Sequence, residues 1–248
     1  MLKFGSMMAT LFCVGSCLCC AGAPLTLMSN NARDIETIKN PKQILPIKAF
    51  VLIKKTQILK RCNTNSCQTK TSRSSGSGAI ISRNAKGSRV ITAGHVCKYK
   101  NPVFALLGIK VASEKMSIVT RDGADRPARI VMIDKINDIC ILDVPNLTKY
   151  KPVKISPKAP EVGDRIFNIA APRGIFAKNF ALIYEGYYAG KMEGKAWYSN
   201  FATRGSSGSM ILNNRGELIG IVTHAMPDVT LAIGPYYSAV TFFIYLFG

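Results

Sequence analysis

Val90-Ile91-Thr92-Ala93-Gly94-His95 is an apolar run that closes in small residues and then a single imidazole. Histidine titrates near neutrality, so it can take a proton and give it back. Small neighbours leave its ring accessible. A lone histidine is most often a satisfied structural residue, and the weight of this one depends on what else the chain carries. The chain has only two His, and neither sits at ligand spacing from a Cys pair, which argues against a zinc site.

Two further segments supply what an imidazole would need. Asn137-Asp138-Ile139-Cys140-Ile141-Leu142 sets one acid immediately before an apolar run. A carboxylate at the mouth of a buried strand can accept a hydrogen bond from an imidazole and fix its tautomer. Asp134 and Asp143 are rivals, but Asp143 stands at the exit of the run. In Gly205-Ser206-Ser207-Gly208-Ser209-Met210, glycines flank a serine pair. A nucleophile must protrude from a tight turn while backbone N–H groups converge on a developing oxyanion, and glycine permits that backbone. A Gly-Ser string alone is more often a loop, as Ser74-Ser75-Gly76-Ser77-Gly78 illustrates. The order His95, Asp138, Ser207 gives the three segments their joint weight.

Around them the chain is a series of short apolar or alternating runs. They are Ile47 to Ile53, Gly78 to Ser82, Arg89 to Thr92, Val103 to Leu107, Lys115 to Thr120, Ala128 to Ile133, Ile139 to Val144, Arg165 to Ala170, Ala181 to Tyr188, Ala196 to Phe201, Ser209 to Leu212, Leu218 to Thr223 and Pro235 to Val240. Turn signals separate them, among them Asn84-Ala85-Lys86-Gly87 and Asn213-Asn214-Arg215-Gly216. Many short strands at this spacing predict an all-β barrel or sandwich. The piece from Thr69 to Ser77 reads as a loop, and Pro145 to Pro160, with four prolines, as a connector between two halves.

Taken together, these segments resemble the chymotrypsin/trypsin superfamily of serine proteases, and within it the HtrA-like branch. Thr92-Ala93-Gly94-His95 looks like the family's histidine box, Asp138 to Leu142 like its aspartate box, and Gly205 to Ser209 like its serine box. Gly76 to Ile81, Val162 to Ile166, Ile169 to Gly174 and Gly216 to Val222 are similar to neighbouring family segments, so the likeness runs from roughly Ile44 to Val240. It implies two six-stranded β-barrels, residues 44–145 and 146–248, with a cleft between them. Ser207 is then the nucleophile, His95 the base and later the acid, and Asp138 its orienting partner. Gly205 and Ser207 lend the oxyanion N–H groups. Ser206 stands where zymogen-activated trypsins carry an acid, so activation by cleavage is not expected. That branch often adds a PDZ peptide-binding domain, which is expected to be missing because the sequence ends at Gly248.

The resemblance also assigns the substrate side. Phe201 falls at the base of the primary pocket, with Ala202, Val222, Thr223 and Ala225 around it and His224 at a neighbouring subsite. None supplies a fixed charge, so cleavage after small or medium apolar residues is expected.

The remaining features concern location and partners. Residues 1–23 form an apolar leader: Lys3 is its short positive start, and no charge follows from Phe4 to Met28. A cleaved signal ending near Ala21-Gly22-Ala23, an uncleaved anchor, and lipidation at Cys17 after Val14-Gly15-Ser16 all place the rest outside the cytoplasm, periplasmic or extracellular. Residues 24–43 read as a linker. The exported body holds Cys62, Cys67, Cys97 and Cys140. Cys62 and Cys67 are expected to close a small disulfide loop. Cys97 and Cys140 each lie two residues beyond a member of the trio, and both a disulfide and two buried thiols fit them. Thirty-three Lys and Arg against 14 Asp and Glu give a net charge of +19. The bland reading is a solvated cationic surface; the sharper one is contact with an anionic membrane. No zinc-finger, RNP or helix-turn-helix pattern accompanies the charge, so specific nucleic-acid recognition is not expected. Protein or peptide substrates are the expected partners, with no cofactor and no metal. A protease-fold protein that only binds, acting on anionic envelope or nucleic acid, and a viral processing protease of the same fold are the rival readings.

Overall fold

From Phe50 the backbone stays extended for 13 residues, because Phe50 to Ile53 and Leu59 are buried among neighbours that alternate or continue the apolar pattern. This is strand β1 (Phe50–Cys62) of a computed structural model that describes residues 45–98, 102–226 and 231–235. The leader, the linker and Ile44 lie outside the described residues, as do residues 236–248.

The first half is one sheet. It contains β1, β2 (Cys67–Asn84), β3 (Gly87–Ala93), β4 (Ile109–Val119), β5 (Asp125–Pro127), β6 (Arg129–Asp134) and β7 (Ile139–Pro145), in the order β5-β4-β1-β2-β3-β7-β6. The second sheet contains β8 (Arg165–Ala170), β9 (Leu182–Met192), β10 (Lys195–Phe201), β11 (Met210–Leu212), β12 (Leu218–Ile221), β13 (His224–Ala225) and β14 (Leu231–Pro235), in the order β12-β11-β8-β9-β10-β14-β13. Every strand pair within the two sheets is antiparallel. Each sheet curls on itself, β5 reaching β7 and β12 reaching β14, as the two-barrel expectation requires. Among the described residues each has seven strands rather than six, the extra ones being the three-residue β5 and the two-residue β13.

The core explains why the halves hold together. One apolar cluster runs from Phe50, Ile80, Ile91, Ile118 and Leu142 of the first sheet into Phe167, Ile169, Met210 and Leu218 of the second. A smaller cluster around Ile166, Tyr198, Ile211 and Val222 fills the second barrel. The connector after Pro145 has no strand and is sewn to both sheets: Val153 N–H donates to Ile80 O at 2.8 Å, and Ser156 N–H to Leu218 O at 3.0 Å.

Three sequence expectations change. Thr69 to Ser77 is not a loop; it is part of β2, paired to β1 along its whole length from Cys62↔Cys67 inward. Its one glycine answers to packing rather than to a loop: a Cβ on Gly76 would lie 2.8 Å from the Val96 methyls. Val103 to Leu107 is not a strand; a short helix covers Pro102–Leu106, opened by a proline whose fixed φ suits a first helical turn. Ile47 begins a 3-10 turn (Ile47–Ala49), and the strand starts only at Phe50. Of the last expected strand, Pro235 to Val240, only Pro235 is described, at the end of β14; the rest lies outside the described residues.

Both cysteine pairs in the body are bridged. Cys62 and Cys67 close the tip of the β1–β2 hairpin. Cys97 and Cys140 are also a disulfide, so the two-thiol alternative falls.

Candidate active site

Strand β3 delivers its last two residues, Thr92 and Ala93, fully buried. The chain then turns into a one-turn helix, α1 (Gly94–Cys97). The turn is built around a carboxylate. Gly94 N–H donates to Asp138 O at 2.7 Å, and His95 N–H donates to Asp138 Oδ1 at 2.7 Å. A Cβ on Gly94 would stand 2.9 Å from that same Oδ1, so a larger residue would push the acid away. Asp138 adopts a left-handed φ of 54° at the end of the β6–β7 turn, a conformation aspartate tolerates better than most residues. Its other oxygen, Oδ2, lies 2.7 Å from His95 Nδ1. A carboxylate there accepts a hydrogen bond from Nδ1–H, which leaves Nε2 as the acceptor.

Nε2 lies 2.8 Å from Ser207 Oγ. The hydroxyl is presented by a knot of turns. Ser206 N–H donates to Thr203 O at 2.9 Å, Ser209 N–H to Ser206 O at 2.9 Å and Gly208 N–H to Val222 O at 2.6 Å. Gly205 (φ +93°) and Gly208 (φ +84°) occupy left-handed backbone, and their missing Cβ atoms would meet Ala171 O at 2.6 Å and Ser77 O at 2.2 Å. Arg204 O accepts from Arg173 N–H at 2.6 Å. A trans peptide holds its N–H opposite its C=O, so the Gly205 N–H is turned the other way. Among the described residues, the Gly205 and Ser207 N–H groups donate to nothing in the chain. Two unspent donors beside a serine hydroxyl are what an oxyanion needs.

Two residues that the sequence reading passed over hold this arrangement. Ser77, fully buried in β2, donates its Oγ to Gly205 O at 2.8 Å and accepts Ala171 N–H at 3.0 Å. Its own N–H donates to Ser207 O at 2.8 Å. Lys55 is buried, gives a hydrogen bond to Cys97 O at 2.8 Å and pairs with Glu114 at 3.1 Å, setting a cation at the end of α1. Neither carries a sequence signal, because their partners lie far along the chain.

The residues expected to line a pocket lie at the end of β10, just beyond β12 and in β13. Ala202, Val222 and Thr223 are buried and Ala225 is partly buried. Phe201 is 41% exposed and leans on Tyr184, ring centres 5.1 Å apart. The His224 ring centre is 6.3 Å from that of His95, and its Nδ1 lies 2.9 Å from Thr223 Oγ1. Loss of hydration, and then the charge of Lys195, lower the His224 pKa below its ordinary value.

With this geometry in hand, the likeness to known proteins can be weighed. The sequence model of the trypsin-like peptidase domain matches residues 76–221. The periplasmic pH-dependent serine endoprotease DegQ of Escherichia coli (strain K12) is 31% identical over 157 residues, covering 60% of this chain and 30% of that protein. The crystal structure of the serine endoprotease from Yersinia pestis aligns with a TM-score of 0.60 at 19% identity, covering 83% of this chain and 64% of that chain. This chain therefore spans under a third of that curated relative and under two thirds of that solved one.

Proposed function

The chain belongs to the trypsin-like peptidase family, and from that premise we propose that it is a serine endopeptidase working through Ser207, His95 and Asp138. The observation that carries the reading is the unbroken line of short contacts from Asp138 through His95 to Ser207, at 2.7 and 2.8 Å.

In this reading Ser207 attacks the scissile carbonyl while its proton passes to His95 Nε2. Asp138 steadies the imidazolium through Nδ1 without taking the proton. The carbonyl oxygen, now negative, is received by the Gly205 and Ser207 N–H groups. His95 returns the proton to the departing amine, leaving an acyl-serine. A water then repeats the sequence: His95 takes its proton, hydroxide attacks the ester, and Ser207 is released protonated. Ser206, buried and accepting Thr203 N–H at 3.3 Å, orders the loop without a buried ion pair. Activity without prior cleavage is therefore part of the proposal.

Substrates are proposed to be exported proteins, cut after small or medium apolar residues at a pocket formed by Phe201, Ala202, Val222 and Ala225. Export is supported by the charge-free stretch from Phe4 to Met28, by two disulfides in the body and by the periplasmic location named for the relative. The test is labelling by a fluorophosphonate. The full chain should label at Ser207, and the Ser207→Ala and His95→Ala chains should not. Equal labelling of all three ends the assignment. Peptide-library cleavage reads the pocket separately: a dominant preference for Arg, Lys or Glu overturns that part alone.

A further inference from the structure

The outer half of the β1–β2 hairpin, with β4 alongside, is a three-stranded ribbon whose two faces differ. Opposed residues share a face. On the face that packs inward lie the buried Lys55, Leu59 and Met116. The other face is solvent-exposed and follows a simple rule of composition. Its rows read Lys54-Ser75-Ser117, Thr56-Arg73-Lys115, Ile58-Thr71-Ser113 and Lys60-Thr69-Lys110. All but one of these positions is a cation or a hydroxyl.

Four of the cations have no acidic partner among the described residues. Lys60 and Lys110 are paired directly across β1 and β4, while Arg73 and Lys115 flank Thr56 on either side. Lys54 is the exception, held by Asp125 at 3.0 Å. Glu114 is the sole acid within these three strands; it points to the opposite face, where Lys55 and Gln57 hold it. The two charged rows are four residues apart, about 13 Å at roughly 3.3 Å per residue. Like charges set directly opposite each other destabilise a sheet. Cations on an edge protect it from aggregation, and Arg73, Lys110 and Lys115 stand on stretches paired on one side only; Lys60, on β1 with a partner strand on both sides, has no edge to protect. The repulsion is relieved when an anionic surface covers the face.

We infer that this ribbon face docks the protein on the anionic headgroup surface of a lipid bilayer. Nucleic acid fits less well: no aromatic side chain lies on the face to stack a base. A headgroup surface asks only for spaced cations and hydroxyls on an open plane, and each basic residue near it adds to binding. The inference rests on the ribbon's cations and not on Ser207, and stands whether or not the chain is a peptidase.

The experiment compares binding of the full chain to phosphatidylcholine vesicles with binding to vesicles that also contain phosphatidylglycerol, by co-flotation. Any insertion of the leader adds to both and drops out of the difference. Binding that depends on phosphatidylglycerol, weakens with salt, and falls roughly tenfold or more in the Lys60→Gln, Arg73→Gln, Lys110→Gln, Lys115→Gln chain supports the site. A control removes equal charge at the exposed Lys135, Lys151, Lys158 and Lys178. An equal loss in that control assigns the binding to net charge and overturns the ribbon. No preference for phosphatidylglycerol also overturns it. Tighter capture of a single-stranded oligonucleotide, lost in the same ribbon variant, replaces the bilayer with nucleic acid. Unchanged circular dichroism and thermal unfolding certify that each variant is folded.

Discussion

At the scale of the residue, the candidate site is governed by where side chains are missing as much as by where they stand. Gly94 lets the Asp138 carboxylate reach both the backbone and the ring of His95, with a would-be Cβ only 2.9 Å from Oδ1. Asp138→Asn keeps the shape but offers an amide donor where the ring needs an acceptor. It is expected to leave circular dichroism unchanged and lower kcat by roughly 10⁴-fold, read with a chromogenic peptide. A loss below tenfold would remove Asp138 from the proposed machinery. His95, Asp138 and Ser207 were legible because each is framed by small residues or opens an apolar run. Ser77 was not: its side-chain partners are 94 and 128 residues away, and a serine in a run of serines carries no mark of its own. Phe201 closes β10 and is 41% exposed, a degree of exposure that the pattern of its neighbours does not carry.

At the scale of the element, short strands were legible wherever alternation met a turn residue; β8 was delimited to the residue. The outer end of β2 is illegible in this way, because composition there suits a loop while cross-strand pairing makes it a strand. The Cys97–Cys140 bridge ties α1 to β7, closing 43 residues of chain two positions beyond His95 and Asp138. Replacing both cysteines by alanine is expected to cost about 2–4 kcal/mol in urea unfolding, with fluorophosphonate labelling retained below the midpoint. The β11–β12 turn supplies a pH effect. Glu217 is held below its ordinary pKa of 4.5, first by the hydrogen bond from Asn213 and then by Arg215 and Lys154. The folded state thus binds that proton less readily than the unfolded chain. Its contribution is present above about 4.5 and is lost as pH falls through the lowered value. Glu217→Gln should lower the urea midpoint at neutrality and converge on the wild type in acid, which flattens the acid limb of the midpoint against pH. An unchanged acid limb would contradict the linkage.

At the scale of the whole molecule, two sheets share one core and one hydroxyl. A net charge of +19 opposes compaction by self-repulsion, so moderate salt should raise the thermal midpoint, as calorimetry can check; a fall would show that attractive pairs outweigh the excess. Ser77→Ala strands Gly205 O and Ala171 N–H without their shared partner. The expected cost is about 1–3 kcal/mol of stability, together with a drop in kcat larger than any change in KM, since the Gly205 segment is then less firmly seated. Composition announced the charge and patterning announced two halves, but nothing local could announce that a strand of the first half serves as the foundation of the second. The serine loop arrives with its own glycines, yet the group that pins it belongs to β2. Domain shuffling at the proline-rich connector would therefore transplant a nucleophile without its footing. A working hybrid of two such chains has to inherit its crossover upstream of Ser77, or import a hydroxyl at that position.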